Sequence, residues 1–330
     1  LKGVANIHRI NSLYMIQQAG GGHIGTCFSS AEIVTLLHHE ILREGDIFFS
    51  SKGHDAPLFY SALIARGIIP FDEIHTLRRP GGLPGHPDIQ TPGIFTNTGS
   101  LGMGISKAKG MILARRLKEQ TGNVFVLMGD GELQEGQVWE SLAGAVRDQM
   151  SELVVIVDMN HIQSDLPVIK TAWIGKYASK FKAWGWHTDF CQGHEIDQLR
   201  EKINEAIEYD GGPSVIFAET VKGKGVSFME GMQKGQDFYQ YHSGALKRQG
   251  WIYHEPTKGG SIRQVTRPGP EDTYVKAIKE LRGDLKLSKI ETKEDCRFKN
   301  SGNYHKGVMR GYGSEIGQIH LNESTKTVLQ

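Results

Sequence analysis

Two oxygen-bearing side chains some thirty residues apart carry the first chemistry in this sequence. Asp130 stands in Gly129-Asp130-Gly131, directly after the apolar run Val124 to Met128, and Asn160 follows a second apolar run, Leu153 to Val157. Asp130 offers a charged oxygen, Asn160 a neutral one, and the backbone carbonyl of Ile162 can add a third. Such a set suits a hard divalent cation. Mg²⁺ takes about six oxygens and commonly leaves several of them to phosphate and water, and Ca²⁺ or Mn²⁺ accepts the same donor types. Gly129 and Gly131 have no side chain to hold a diphosphate off the backbone, and a helix that follows them points its amide end toward such a ligand.

These residues need elements that bring them to one edge. The two apolar runs read as buried strands. Between them Val138, Leu142, Ala145 and Val146 fall on one helical face, so the unit reads as strand, crossover helix and parallel strand. Asp130 and Asn160 then leave the carboxyl ends of neighbouring strands, where open α/β sheets hold their ligands. Further strands are expected at Phe48-Phe49, at a buried segment from Gly185 to Phe190, and from Pro213 to Glu219. Amphipathic helices are expected over residues 4–19 (closed by Gly20-Gly21-Gly22), from Pro57 to Arg66, from Gly104, and through Ile196, Leu199, Ile203 and Ile207. Ser29 and Glu32 have the spacing of a capping box that opens another helix. The alternation predicts a three-layer α/β fold, a mostly parallel sheet with helices on both faces.

Histidines recur at the breaks between these elements. His23 follows the glycine run, expected to be a flexible loop; His54 stands in SKGH at a strand-to-helix junction; His86 lies in the Gly- and Pro-rich stretch 80–104; His242 stands in YHSG. A loop as long as 80–104 inside a compact domain is usually functional. Val221-Lys222-Gly223-Lys224-Gly225 reads as a mobile basic turn, either solvated or with Lys222 and Lys224 in contact with a ligand. Residues 1–260 are expected to form one domain, 261–304 a polar linker or extended tail with one short helix stopped at Gly283, and 305–330 a separate segment.

Bulk properties narrow the classes. The 330 residues hold 38 Lys and Arg against 37 Asp and Glu, a net charge of +1 without long runs of one sign, which argues against nucleic acid or an acidic membrane as partner. Three cysteines, Cys27, Cys191 and Cys296, lack metal-ligand spacing and fit free thiols in a reducing compartment. No apolar stretch is long enough to span a bilayer, and cytoplasm is the default expectation.

The ordered segments AGGGHIG, SKGHDAP, PGHPD, TGSLGMG, GDGELQEGQVWE, DMNHIQ and TVKGKGVS resemble the amino-terminal, diphosphate-binding half of the transketolase family over roughly residues 1 to 245. The resemblance implies a thiamine diphosphate cofactor held through Mg²⁺ by Asp130, Asn160 and the Ile162 carbonyl. It implies cofactor contacts at Gly99, Leu101, Gly129, Gly131 and His54, and pocket histidines at His23, His54, His86 and His242. Glu135 matches a carboxylate that links two active sites across a dimer interface. The reaction implied is transfer of a two-carbon ketol unit from a ketose or ketose phosphate to an aldose; a deoxyxylulose-phosphate-synthase-like enzyme of 2-keto acids, or a non-catalytic cofactor-binding scaffold, are the alternatives. His161 departs from the family, which commonly has Gly there, and Cys27 stands where a Gly is common. Residues 305–330 resemble only the opening of the family's pyrimidine-binding domain. The resemblance therefore implies a split subunit or a piece of a longer chain, needing a pyrimidine-binding subunit or domain within a homodimer or heterotetramer.

Overall fold

The structure is a computed structural model that describes residues 1–172, 174–246, 252–256, 262–266 and 273–287. Helices α1 (Lys2–Ala19), α2 (Ile24–Ser29) and α3 (Ala31–Leu36) lead into β1 (Ile47–Ser50) and α4 (Ala56–Ala65). The Gly- and Pro-rich loop follows, then α5 (Gly104–Leu117), β2 (Val124–Gly129), α6 (Gly136–Arg147) and β3 (Leu153–Met159). A small hairpin of β4 (Ile162–Gln163) and β5 (Leu166–Pro167) precedes α7 (Val168–Thr171), α8 (Tyr177–Ala183), β6 (His187–Gln192), α9 (Ile196–Glu208) and β7 (Ser214–Glu219). Beyond these lie an antiparallel pair, β8 (Ile252–Pro256) and β9 (Ile262–Thr266), and α10 (Thr273–Leu287).

The main sheet has the order β1-β2-β3-β7-β6, every pair parallel. Side chains alternate between two cores. Phe125, Leu127, Val154, Ile156, Ile216 and Ala218 meet α1, α3, α4 and α9 on one face. Val124, Val126, Met128, Val155, Val157, Val215 and Phe217 meet α5, α6 and α8 on the other. Burial on both faces explains why β2 and β3 read as unbroken apolar runs. The expected three-layer architecture is the observed one.

Several local expectations give way to tertiary context. Helix α1 is buried almost all round, polar Asn6, His8, Arg9 and Asn11 included, because α4 and α10 both pack along it. Ser29 does not cap a helix; it lies at the end of α2 and donates to Asp158 Oδ2 at 2.6 Å, while Glu32 pairs with Arg9 instead. The segment expected to be a buried strand is the sheet-edge strand β6, with Phe190 62% exposed; Trp184, which ends α8, is 46% exposed. Helix α10 runs past Gly283 to Leu287 and buries Tyr274, Ala277, Ile278 and Leu281 in the same core as α1. Cys296 and the segment 305–330 lie outside the described residues, as does much of 261–304.

Candidate functional site

The carboxyl ends of β1, β2, β3 and β7 converge on one cavity of about 310 Å³. His23, His54, His86, Gly99, Leu101, Gly129, Asp130, Gly131, Asn160, Ile162 and His242 all line it. Glu135 does not; it is exposed at the start of α6.

The floor begins where β2 and β3 end. Register pairs Gly129 with Asp158, so Asp130 and Asn160 emerge side by side. Asp130 is 2% exposed; its Oδ1 accepts from the Gly131 amide at 2.8 Å and its Oδ2 from the His161 amide at 2.5 Å. Asn160 Nδ2 donates to Asp158 Oδ2 at 3.2 Å, which turns Oδ1 to accept from the Ile162 amide at 3.1 Å. The reversal between them needs a left-handed residue, and His161 supplies it at φ +62°. Glycine adopts that region without strain. His161 is held there by a 2.5 Å contact between its Nε2 and Glu219 Oε1.

Two lysines also belong to this cavity. Lys222 is 3% exposed, and its Nζ donates to the carbonyls of Ile162 and Ser164, each at 3.0 Å. Of the two readings left open for residues 221–225, the solvated turn fails at Lys222: the turn folds inward, and the Gly223 amide bonds the Gly25 carbonyl at 3.0 Å. Lys52 is 2% exposed and reaches Asp158 at 2.8 Å, Thr26 at 3.0 Å and Ser30 at 3.1 Å. Its place inside SKGH was the signal available in the sequence. For Lys222 it was the family-like segment TVKGKGVS, since nothing else local distinguishes a buried lysine turn from a solvated one.

Burial sets the charge states. Desolvation, with Asp158 nearby, pushes the Asp130 carboxyl up to about 6, and no ion pair is made to it among the described residues. Desolvation lowers Lys222 to about 8, against the opposing pull of Asp130 and Asp158. Burial would strip the Lys52 proton, yet Asp158 and Asp55 more than reverse this and hold it above its ordinary value. Asp158 is kept ionised because Lys52 and the Ser29 and Thr220 hydroxyls outweigh its desolvation.

The histidines stand over this floor as a cluster. The His23 ring lies 5.1 Å from that of His54, 5.0 Å from His242 and 6.2 Å from His86, centroid to centroid. His23 is the N-cap residue of α2 rather than part of a flexible loop. Desolvation, reinforced by neighbouring positive charges, lowers His23 and His242 to about 4, His54 well below its ordinary value, and His86 in the same direction. All four are neutral at neutral pH. His54 Nδ1 lies 3.0 Å from the Lys52 carbonyl, which can only accept, so its Nε2 carries the free lone pair. His23 Nδ1 is buried without a hydrogen-bond partner.

One more carboxylate, missed in the sequence, ties the walls together. Glu132 is 3% exposed and accepts from the Ser51 hydroxyl, the Gly102 amide at 2.8 Å and the Gly129 amide at 3.2 Å. Ser51 Oγ in turn accepts from the Gly104 amide at 3.0 Å. The loops after β1 and β2 and the loop before α5 are thereby joined.

The arrangement fits a ligand with two characters. A buried carboxylate without a paired cation, an amide oxygen and a carbonyl already facing an ammonium make a set for a divalent ion. Glycine backbone and the Lys222 ammonium suit an anionic group such as a diphosphate beside it. Neutral imidazoles with free nitrogen atoms suit hydroxyl and carbonyl groups.

Comparison with known proteins shows the family to which the chain is similar. The family profile described as transketolase, thiamine diphosphate binding domain, matches residues 2–251. The 6-deoxy-6-sulfo-D-fructose transketolase subunit SqwG of Clostridium sp. (strain MSTE9) is 36% identical over 242 residues, covering 70% of this chain and 88% of that protein. An apulose-4-phosphate transketolase subunit from Actinobacillus succinogenes is 36% identical over 222 residues, covering 64% of this chain and 80% of the relative. Human transketolase is 34% identical over 241 residues, 70% of this chain but 38% of its own length. The crystal structure of transketolase from Campylobacter jejuni superposes with a TM-score of 0.71 at 22% identity, covering 99% of this chain and 48% of that one. The chain thus spans about half the length of that solved structure.

Proposed function

The chain belongs to the transketolase family, and we propose that it forms the diphosphate-binding half of an enzyme that moves a two-carbon ketol unit from a ketose or ketose phosphate to an aldose. The supporting observation is the convergence of Asp130, Asn160 and the Ile162 carbonyl beneath four neutral histidines. Thiamine diphosphate, when bound, supplies the acidic carbon and the electron sink that carbon–carbon cleavage needs.

The chain's own residues would do the rest. Asp130, Asn160 and Ile162 would hold Mg²⁺, or Ca²⁺ or Mn²⁺ in its place, and Lys222 would release the Ile162 carbonyl to it. Gly129 and Gly131 would let the diphosphate reach the backbone, and Gly99 and Leu101 would pack against the cofactor. His54 Nε2, fixed as an acceptor, would take a hydroxyl proton, while His23, His86 and His242 would orient sugar oxygens and exchange protons with them. A pyrimidine-binding subunit or domain would complete the site, as the relatives named as subunits suggest. The exposed Glu135 would face that assembly, as a homodimer or heterotetramer.

The test is Asp130→Ala followed by titration calorimetry with thiamine diphosphate at fixed Mg²⁺. Affinity should fall by about a hundredfold or more. An unchanged dissociation constant would refute the metal assignment.

A further inference from the structure

Tyr239 is buried in the stretch that runs from the Lys222 turn to His242. Its amide donates to the Asp165 carbonyl in the β4–β5 hairpin at 2.7 Å, and its Oη donates to the Met229 carbonyl at 3.1 Å. Two glycines make room for the ring. A Cβ at Gly25 would stand 2.8 Å from Oη, and one at Gly223, where φ is +80°, would stand 2.6 Å from it. The side chain is thus wedged between α2 and the turn after β7.

The Lys222 ammonium lies 5.2 Å from the centroid of this ring. A buried ammonium has given up most of its water, and an aromatic face attracts it more strongly where solvent is excluded. Its three protons have three acceptors: the Ile162 and Ser164 carbonyls, each at 3.0 Å, and Nδ1 of His242 at 3.5 Å. The last contact selects a tautomer. An ammonium can only donate, so His242 Nδ1 accepts and the one proton of the neutral ring sits on Nε2. His54 is fixed the opposite way, with its proton on Nδ1 toward the Lys52 carbonyl. The backbone decides only where the His242 ring stands: the Tyr241 carbonyl accepts from the Gly25 amide at 3.2 Å, and the Gly244 amide donates to the Gly22 carbonyl at 2.9 Å. Which nitrogen carries the hydrogen is left to Lys222.

We propose that Tyr239 is a positioning residue: its ring seats the Lys222 ammonium against His242 Nδ1 and so keeps His242 a hydrogen-bond donor at Nε2. Which substrate oxygen meets that donor rests on the ketol-transfer reading; the tautomer does not.

The experiment reads ring nitrogens rather than turnover. The full chain, isotope-labelled at the histidine nitrogens, is followed by NMR at neutral pH without cofactor. His242 should carry its proton on Nε2, with Nδ1 displaced from the resonance of a bare lone pair by the ammonium. The Lys222 side-chain protons should be shifted upfield by the Tyr239 ring current. Tyr239→Leu should return Nδ1 to the bare position, whereas Tyr239→Phe, which keeps the aromatic face, should preserve the wild-type signal. A tyrosine that only packs would lower stability in both variants and leave the His242 nitrogens unmoved. A wild-type His242 protonated on Nδ1, an undisplaced Nδ1 or a missing ring-current shift overturns the assignment without any variant. So does a folded Tyr239→Leu chain with wild-type nitrogen signals, or a Tyr239→Phe chain that loses them. Should Tyr239→Leu fail to fold, Lys222→Met decides, because a His242 Nδ1 still displaced in that chain would show that the ammonium is not its donor. A ketol-transfer assay of the completed enzyme separately decides the reaction class.

Discussion

His23 and His242 show how far burial reaches at the scale of one residue. Both titrate near 6.5 in an unfolded chain and near 4 here, because desolvation and nearby positive charge oppose the imidazolium. The folded form binds fewer protons between those values, so their contribution to stability is complete above 6.5 and declines as pH falls toward 4. Their ring signals should therefore remain those of neutral imidazole at about pH 5.5, followed by NMR in the chain alone. Midpoints near 6.5 would contradict the buried geometry. Asp130 and Asn160 were legible in sequence because their spacing follows strand ends. His161 was legible only as a departure; that it occupies a left-handed position, where glycine would be unstrained, is visible only in the backbone.

Elements are locked to one another by buried polar groups as much as by apolar faces. Glu32 on α3 accepts from Arg9 on α1 at 2.6 Å and from His194 at 2.9 Å, and His194 Nε2 accepts from the Val221 amide just before Lys222. Against its own desolvation, Arg9 and His194 hold the Glu32 carboxyl down to about 2. A depressed carboxyl contributes stability above its unfolded value near 4.5, and that contribution disappears as pH falls toward 2. Glu32→Gln should cost about 3 kcal/mol in urea unfolding at pH 7, since it leaves Arg9 buried without its counter-ion. Its deficit relative to the wild type should shrink steadily between pH 4.5 and 2. A deficit independent of pH would mean the ion pair is not what joins these helices. Ser29 and Glu32 look like a capping box because the local spacing is right. The tertiary partners Asp158 and Arg9, far away in sequence, win both side chains instead.

At the scale of the molecule, the layered sheet was readable because strands buried on both faces must be continuously apolar and the helices between them periodic. What escaped was everything decided by distant packing: the edge position of β6, the docking of α10 along α1, and the burial of Lys222. Composition marked residues 261–304 as polar, yet α10 inside that span has one apolar stripe, enough to cover a helix that would otherwise face water. On the proposed division of the site, the chain alone should show no ketol transfer above background, and activity should appear when a chain carrying the pyrimidine-binding domain is added. Full turnover by the isolated chain would overturn that division of labour. Glu132 has a consequence for such an assembly. By stitching three loops to a single buried carboxyl group, it leaves this chain's share of the receptacle in place before any guest arrives. Entry then demands little ordering of the host, so the heat of binding should report guest contacts and shed water, with almost nothing owed to refolding.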